Sequence, residues 1–176
     1  MIKYRRELNQ IINLALPAVE VGVAEGYFSA DMLSWGLPKL YMVDIWQHEE
    51  VKGDGSMPNE WHNKNYNAAM ERVAKFGDKA IPLKGFSKDM APQVPDESLG
   101  LVYIDAGHSY EDCLLDLQLW FPKLVKGGVM AGHDYLNKAY GVYPAVWNFT
   151  MGGRMYEVFT LTEDKDEDAG FYFFKP

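Results

Sequence analysis

The acids and imidazoles that could do chemistry in this chain stand just after short apolar runs. Asp105 follows GLVYI, His108 comes three residues later, and His133 and Asp134 follow GVMAG. Carboxylates grouped with imidazoles are the donor set of a divalent-cation site or of acid–base chemistry. An imidazole near its ordinary pKa of about 6.5 takes a proton from an activated hydroxyl at neutral pH, so His108 is the candidate general base. Asp105 is the second candidate catalytic residue. If the runs before Asp105 and His133 are neighbouring strands, their ends lie about 5 Å apart. Asp105, His133 and Asp134 can then share one cation. A histidine among oxygen ligands suits Mn²⁺ or Fe²⁺ better than Mg²⁺.

A second group lies nearer the N-terminus. The run AVEVGV carries Glu20 and leads into Gly22, Ala24 and Gly26, small residues that let a ligand approach the turn. The dinucleotide pattern G-x-G-x-x-G is not met, because Ala24 takes the middle position and Tyr27 the third. A carboxylate at Glu20 repels a pyrophosphate and suits a cationic amine. Asp44 ends the next apolar run about twenty residues on, where an acid accepts the hydroxyls of a ribose. A ribose, a cationic amine and no phosphate together describe S-adenosylmethionine.

Such residues need strands that end at one sheet edge. Apolar runs predict strands over 18–23, 39–45, 80–84, 100–105 and 128–132, and two more over 155–161 and 170–175. Helical spacing predicts helices over 27–35, 63–76, 109–125 and 142–151, with Ser109 as the cap of the third. Pro82 places its strand at an edge. Residues 46–62 read as a long polar loop, and the acidic stretch 163–168 as a solvated hairpin tip. The alternation gives an α/β fold, a mostly parallel sheet with helices on both faces, and ligands at the carboxyl ends of its strands. Trp46, Trp61 and Tyr135 are expected beside the site, ready to stack on a sugar or an aromatic acceptor. Trp35, Trp120, Trp147 and Met32, Met42 and Met70 are expected in the core, and His48 and His62 at the surface.

Composition sets the outer limits. The chain has 176 residues, 48% hydrophobic and 24% charged, which suits a single globular domain over 1–176. Seventeen basic against 25 acidic residues give a net charge of −8, which disfavours nucleic acid and anionic membrane as partners. No run approaches the roughly 18 apolar residues of a membrane span, and the N-terminus lacks a signal-peptide core, so a cytoplasmic location is expected. Cys113 is the single cysteine, which excludes an intrachain disulfide and a cysteine-cluster zinc site.

Over roughly 17–176 the chain resembles the class I S-adenosylmethionine-dependent methyltransferases. The resemblance rests on AVEVGVAEGYFS, MVDIW, KGFSKD, LVYIDAGHSYEDCLLDL and KGGVMAGHDY. The last two blocks are the most specific, and are similar to the small-molecule O-methyltransferases that include the sugar and macrolide enzymes. The resemblance implies a Rossmann-like seven-stranded sheet of order 3-2-1-4-5-7-6 with strand seven antiparallel. It implies that Glu20 faces the methionine ammonium, that Gly22, Ala24 and Gly26 line methionine and ribose, and that Asp44 holds the ribose. Ile45 would lie against adenine, and Ser87 and Lys88 at its edge, although a lysine departs from the usual neutral residue there. Asp105 would also border the cofactor. Metal-using members place an acid after strand four and an acidic or amide pair after strand five, here Asp105 and His133-Asp134. Catechol-type members carry their lysine base at the offset of His108.

The implied activity is methylation of a hydroxyl on a small-molecule acceptor, assisted by Mg²⁺ or Mn²⁺, with a homo-oligomer left open. Three rival readings share the fold: a cofactor-binding module without catalysis, a nicotinamide-dependent oxidoreductase, and a metal-dependent oxidation of the cephalosporin-hydroxylase kind. The short stretch before the first strand, where many relatives carry a lid, is the feature that favours the first rival.

Overall fold

A computed structural model describes residues 2–50, 53–151, 156–162 and 169–176. Among the described residues, seven strands form one sheet: β1 (Ala18–Val21), β2 (Leu40–Asp44), β3 (Ala80–Lys84), β4 (Leu99–Ile104), β5 (Leu124–Gly132), β6 (Phe159–Leu161) and β7 (Gly170–Phe174). Their order is β3-β2-β1-β4-β5-β7-β6. The first five run parallel, whereas β7 pairs antiparallel with both β5 and β6. Every residue of β1 and β4 is buried, as parallel strands covered on both faces must be. β3 forms the edge, and its Pro82 sits opposite Met42. The chain leaves β1 toward β2 on one side and returns to β4 on the other. A crevice therefore opens above β1, where such sheets bind ligands.

Strand alternation divides the core. One face packs α1 (Tyr27–Ser34) and α2 (Asn59–Val73) through Phe28, Met32, Leu33, Ala69 and Val73. The other packs α4 (Tyr110–Trp120) and α5 (Val142–Met151) through Cys113, Leu117, Trp120, Val146 and Phe149. The short α3 (Ser87–Met90) follows β3. Burial pushes the Cys113 thiol up to about 12, which leaves it inert.

The structure redraws several expected boundaries. α2 begins at Asn59, behind Pro58, so Trp61 and His62 lie on a helix and the polar loop is shorter than 46–62. His62 is buried rather than at the surface. α4 ends at Trp120 because Pro122 cannot continue it; a 3-10 turn over Phe121–Lys123 leads into β5, which starts at Leu124 instead of 128. Trp147, expected in the core, is 52% exposed. The acidic stretch 163–168 lies outside the described residues. Among those described, no helix is long and apolar enough to cross a membrane.

Candidate active site

The turns after β1 and β2 are tied together by backbone hydrogen bonds. Gly22 N donates to Val43 O at 2.8 Å. Asp44 Oδ2 accepts from Val23 N at 2.9 Å and Ala24 N at 2.8 Å, and Oδ1 accepts from Trp46 N at 3.0 Å. The Trp46 indole donates back to Ala24 O at 3.0 Å. Trp46 is therefore buried, with its ring edge-on to Tyr66, and is not the open stacking surface expected of it. Ala24 and Trp46 both hold positive φ, at 48° and 39°, strain that the surrounding bonds must sustain.

Gly22 joins this turn to the next strand. Its φ is 91°, and a Cβ there would stand 1.9 Å from Asp105 O. Asp105 N in turn donates to Val21 O at 2.7 Å. Gly26, the N-cap of α1 at φ 73°, lies against Ala69 of α2. Glu20 is buried on the α1 face and accepts from the Ser29 hydroxyl. Burial raises its carboxyl well above the usual range. Ile45 is half-buried at the crevice. Ser87 turns toward α4: its hydroxyl accepts from the Trp120 indole at 2.7 Å and contacts Asp116. Lys88 is exposed, its ammonium 5.6 Å from the Phe86 ring.

The ends of β4 and β5 differ in kind. His108 Nε2 stands 3.0 Å from Asp134 Oδ2 and 3.9 Å from Asp105 Oδ1. Ligand atoms of Asp105, His108 and Asp134 all fall within 4.8 Å of one another. His133 lies beside this group, its Nδ1 3.4 Å from Asp134 Oδ1. The chain bends at His133, and Asp134 holds a left-handed backbone at φ 57°, so the pair after β5 does not continue the strand and only Asp134 joins His108 and Asp105. The carboxylates of Asp105 and then Asp134 raise His108 to about 10 despite its burial. Burial would raise the Asp134 carboxyl, but His108 and His133 overcome it and hold the group far below the usual range. Burial likewise opposes a charged His133, and Asp134 and Asp105 outweigh it, so His133 lies above its ordinary value.

Residues that sequence reasoning missed hold His108 in place. Tyr140 stacks on its ring, centroids 4.4 Å apart at 18°. Gly141 N donates to His108 O at 2.8 Å, and a Cβ on Gly141 would meet Tyr110 N at 2.1 Å. The segment after β5 thus wraps His108 through Asp134, Tyr140 and Gly141. An aromatic–glycine pair just before a helix was the single local signal of this. Tyr135, expected to face an acceptor, is buried against Phe171.

Two carboxylates and an imidazole suit a hard or borderline dication. Nε2 of His133 is buried without a hydrogen bond, and Nε2 of His108 faces the Asp134 and Asp105 carboxylates, where a cation would compete with its proton. These residues fit a cation.

A doubly wound sheet with a crevice above β1 and a carboxylate–imidazole cluster after β4 and β5 defines a class, the α/β proteins that take their ligands at the carboxyl ends of the strands. The profile of the Methyltransferase domain family matches residues 19–135, more than half of the chain, and the chain belongs to that family. It is 24% identical over 111 residues to the uncharacterized protein y4gI of Sinorhizobium fredii (strain NBRC 101917 / NGR234), a match covering 63% of this chain. The chain spans only about a tenth (11%) of that relative's length. The O-methyltransferase TomG from Streptomyces achromogenes, involved in tomaymycin synthesis and solved with SAM, superposes with a TM-score of 0.65 at 16% identity. That match covers 93% of this chain and 74% of TomG. An rRNA methylase from Streptococcus thermophilus superposes at 0.67 with 14% identity, covering 96% of this chain and 91% of that one. At these identities the two likenesses establish the fold alone.

Proposed function

We propose that this chain transfers a methyl group from S-adenosylmethionine to a hydroxyl of a small molecule. One observation carries the reading. The Gly22–Asp105 contact sets the turn after β1, where Glu20 and Asp44 would suit a cationic, ribose-bearing ligand, directly beside a carboxylate–imidazole cluster. Bound at the turn, S-adenosylmethionine supplies a sulfonium methyl open to in-line attack. Asp44 would accept from the ribose hydroxyls, and an arriving ammonium beside Glu20 would favour the ionised form that burial disfavours. The acceptor oxygen gains the methyl carbon, the sulfur keeps the electron pair of the broken bond, and the hydroxyl proton passes to the cluster. Alignment of oxygen and methyl is the protein's main contribution.

A divalent cation held by Asp105, His108 and Asp134, with His133 beside them, would supply acidification of that hydroxyl. His108, raised to about 10, is protonated at neutral pH and in that state donates rather than accepts. Asp105, the more exposed of the two carboxylates near it, is then the proton acceptor open to the crevice. A net charge of −8 weighs against a polyanionic acceptor such as rRNA.

The test is calorimetry with S-adenosylmethionine and S-adenosylhomocysteine. Micromolar binding is expected, roughly −8 kcal/mol. A folded sample giving no heat with either ligand overturns the reading.

A further inference from the structure

Beside the candidate site runs a strip of aromatic side chains that the fold leaves uncovered. Tyr140, stacked on His108, is 39% exposed; Tyr143 and Trp147 on α5 are 46% and 52% exposed. Tyr143 meets Tyr135, the residue after Asp134, at a centroid distance of 5.2 Å. Tyr143 and Trp147 stand one helical turn apart, centroids 6.4 Å and rings 13° from parallel. Tyr140 thus covers His108, while Tyr143 and Trp147, joined to Tyr135 next to Asp134 in the chain, lead outward along α5. Exposed large aromatics joined in this way are uncommon on a soluble domain without a partner for them.

Charge and hydrogen bonding say what that partner is. In a chain of net charge −8, residues 135–151 contain no acid and one base, Lys138. Their polar side chains are mostly engaged: Asn137 accepts from Ala139 N at 3.0 Å, Asn148 donates to the Tyr110 hydroxyl, and Thr150 donates to Val146 O at 2.8 Å. A sugar could lay its C–H face on these rings, but its hydroxyls would find few free side-chain partners to fix them, because the nearby amides and hydroxyl are engaged. A lone base gives a polyanion little to bind. A flat apolar ring system loses nothing on the same surface and gains parallel stacking.

We infer that the acceptor is a planar, fused-ring aromatic hydroxyl compound, whose ring body lies on Tyr140, Tyr143 and Trp147 while its hydroxyl reaches the Asp105–His108–Asp134 cluster. The inference rests on the methyltransferase reading and names the acceptor class for that site. In the transfer, the phenolic oxygen bonds the methyl carbon, the carbon–sulfur bond breaks with its electrons left on sulfur, and the phenolic proton goes to the cluster.

The probe is 7-hydroxycoumarin, followed by its own fluorescence on the full chain with S-adenosylhomocysteine present. Two controls separate the features that matter: decahydro-2-naphthol, apolar and of like size but not flat, and methyl α-glucoside. The coumarin should bind at least about tenfold more tightly than either control. Trp147→Ser and Tyr143→Ser should each weaken it by about tenfold, the worth of one lost stack, whereas Tyr143→Phe restores it. With S-adenosylmethionine the coumarin should become methylated, and the serine variants should raise KM more than they lower kcat. Both serine changes fall on exposed positions, and circular dichroism checks that the fold persists. Tighter binding of the glucoside, or coumarin binding indifferent to the variants, overturns the inference. So does an oligomer that the variants dissociate, in sedimentation, without changing coumarin affinity; the strip is then a contact between copies. A chain that takes up S-adenosylmethionine but ignores the coumarin loses this inference alone. A chain that takes up neither loses the methyltransferase reading with it.

Discussion

The end of β1 and β2 and the end of β4 and β5 are neighbours, yet they are held by different forces. At the first, one carboxylate, Asp44, fastens three backbone amides and the Trp46 indole closes the turn. Its shape is held by bonds within the chain itself. At the second, two carboxylates and two imidazoles crowd together with more charge than aligned hydrogen bonds. Its state depends on which protons or cations are present. The crevice thus joins a fixed template to an adjustable electrostatic trap, and the two meet at Gly22.

The largest expected effect comes from breaking that meeting point. Gly22→Ala puts a methyl group 1.9 Å from a backbone oxygen, at a φ of 91°. One of the two loops must move, at a cost of about 3 kcal/mol or more, among the larger effects of a single substitution. Thermal unfolding should fall steeply and S-adenosylmethionine binding should vanish. An unchanged melting temperature would mean the two ends slide independently, and the contrast drawn here would lose its basis.

Next comes the trap alone. Asp134→Asn removes one of two anions beside His108 and should lower turnover by about 10²–10⁴, with cofactor affinity little changed. The His108 pKa should fall from about 10 toward its ordinary 6.5. A histidine proton titration by NMR reads this directly. A His108 that still titrates near 10 would make Asp105 its sole effective partner.

The two ends were not equally legible in the sequence. Template positions announce themselves locally: small residues after an apolar run, then an acid after the next one. Gly22 and Asp44 could be named without knowing what they touch. Strand order came through family resemblance, since apolar runs do not state their neighbours. The trap is written at long range. His108 joins the carboxylates and His133 lies aside because the chain bends after β5 and Asp134 takes a left-handed backbone, which adjacent letters hide. Tyr140 reaches His108 only because the 134–141 segment folds back. Trp46 looked like an open stacking surface because its bond to Ala24 spans the sheet edge. Trp147 lay on a helix with an apolar inner face, and the fold turned it outward.

A third prediction separates Ser87 from the template to which its motif assigns it. Its hydroxyl stands between the Trp120 indole and Asp116. Burial raises Asp116 to about 7, against the pull of Ser87. A carboxyl whose folded pKa is raised keeps its proton while the unfolded chain loses its own. Stability is then greatest below about pH 4, falls up to pH 7 and levels off above. Asp116→Asn should lose this contribution and gain roughly 2–4 kcal/mol at pH 8 relative to its difference at pH 4. Buried Glu20 adds a slope of the same sign, so the difference between the two proteins is the diagnostic quantity. Denaturant titrations at both pH values measure it. Parallel pH profiles would place Asp116 in contact with water and return Ser87 to the cofactor side.

The smallest effect tests the template at its hinge. An ionised carboxylate has about four acceptor sites, and backbone amides occupy three on Asp44. A ribose must use the fourth or draw an amide away. Asp44→Ala loses both the turn and the ribose contact, and should weaken S-adenosylmethionine by about 1–3 kcal/mol. Asp44→Asn separates the two. Its amide nitrogen cannot accept, so either the Val23 and Ala24 amides or the Trp46 amide is left without a partner. If the pre-formed turn matters most, asparagine should be nearly as damaging as alanine, and adenosine should lose as much affinity as S-adenosylmethionine. If the ribose bond matters most, asparagine should retain much of the affinity, and 2′,3′-dideoxyadenosine should bind both variants and the parent alike. Calorimetry across the three ligands decides between them. Near-parental affinity for S-adenosylmethionine in the alanine variant would deny Asp44 either part and leave the template held by Gly22 and Gly26 alone.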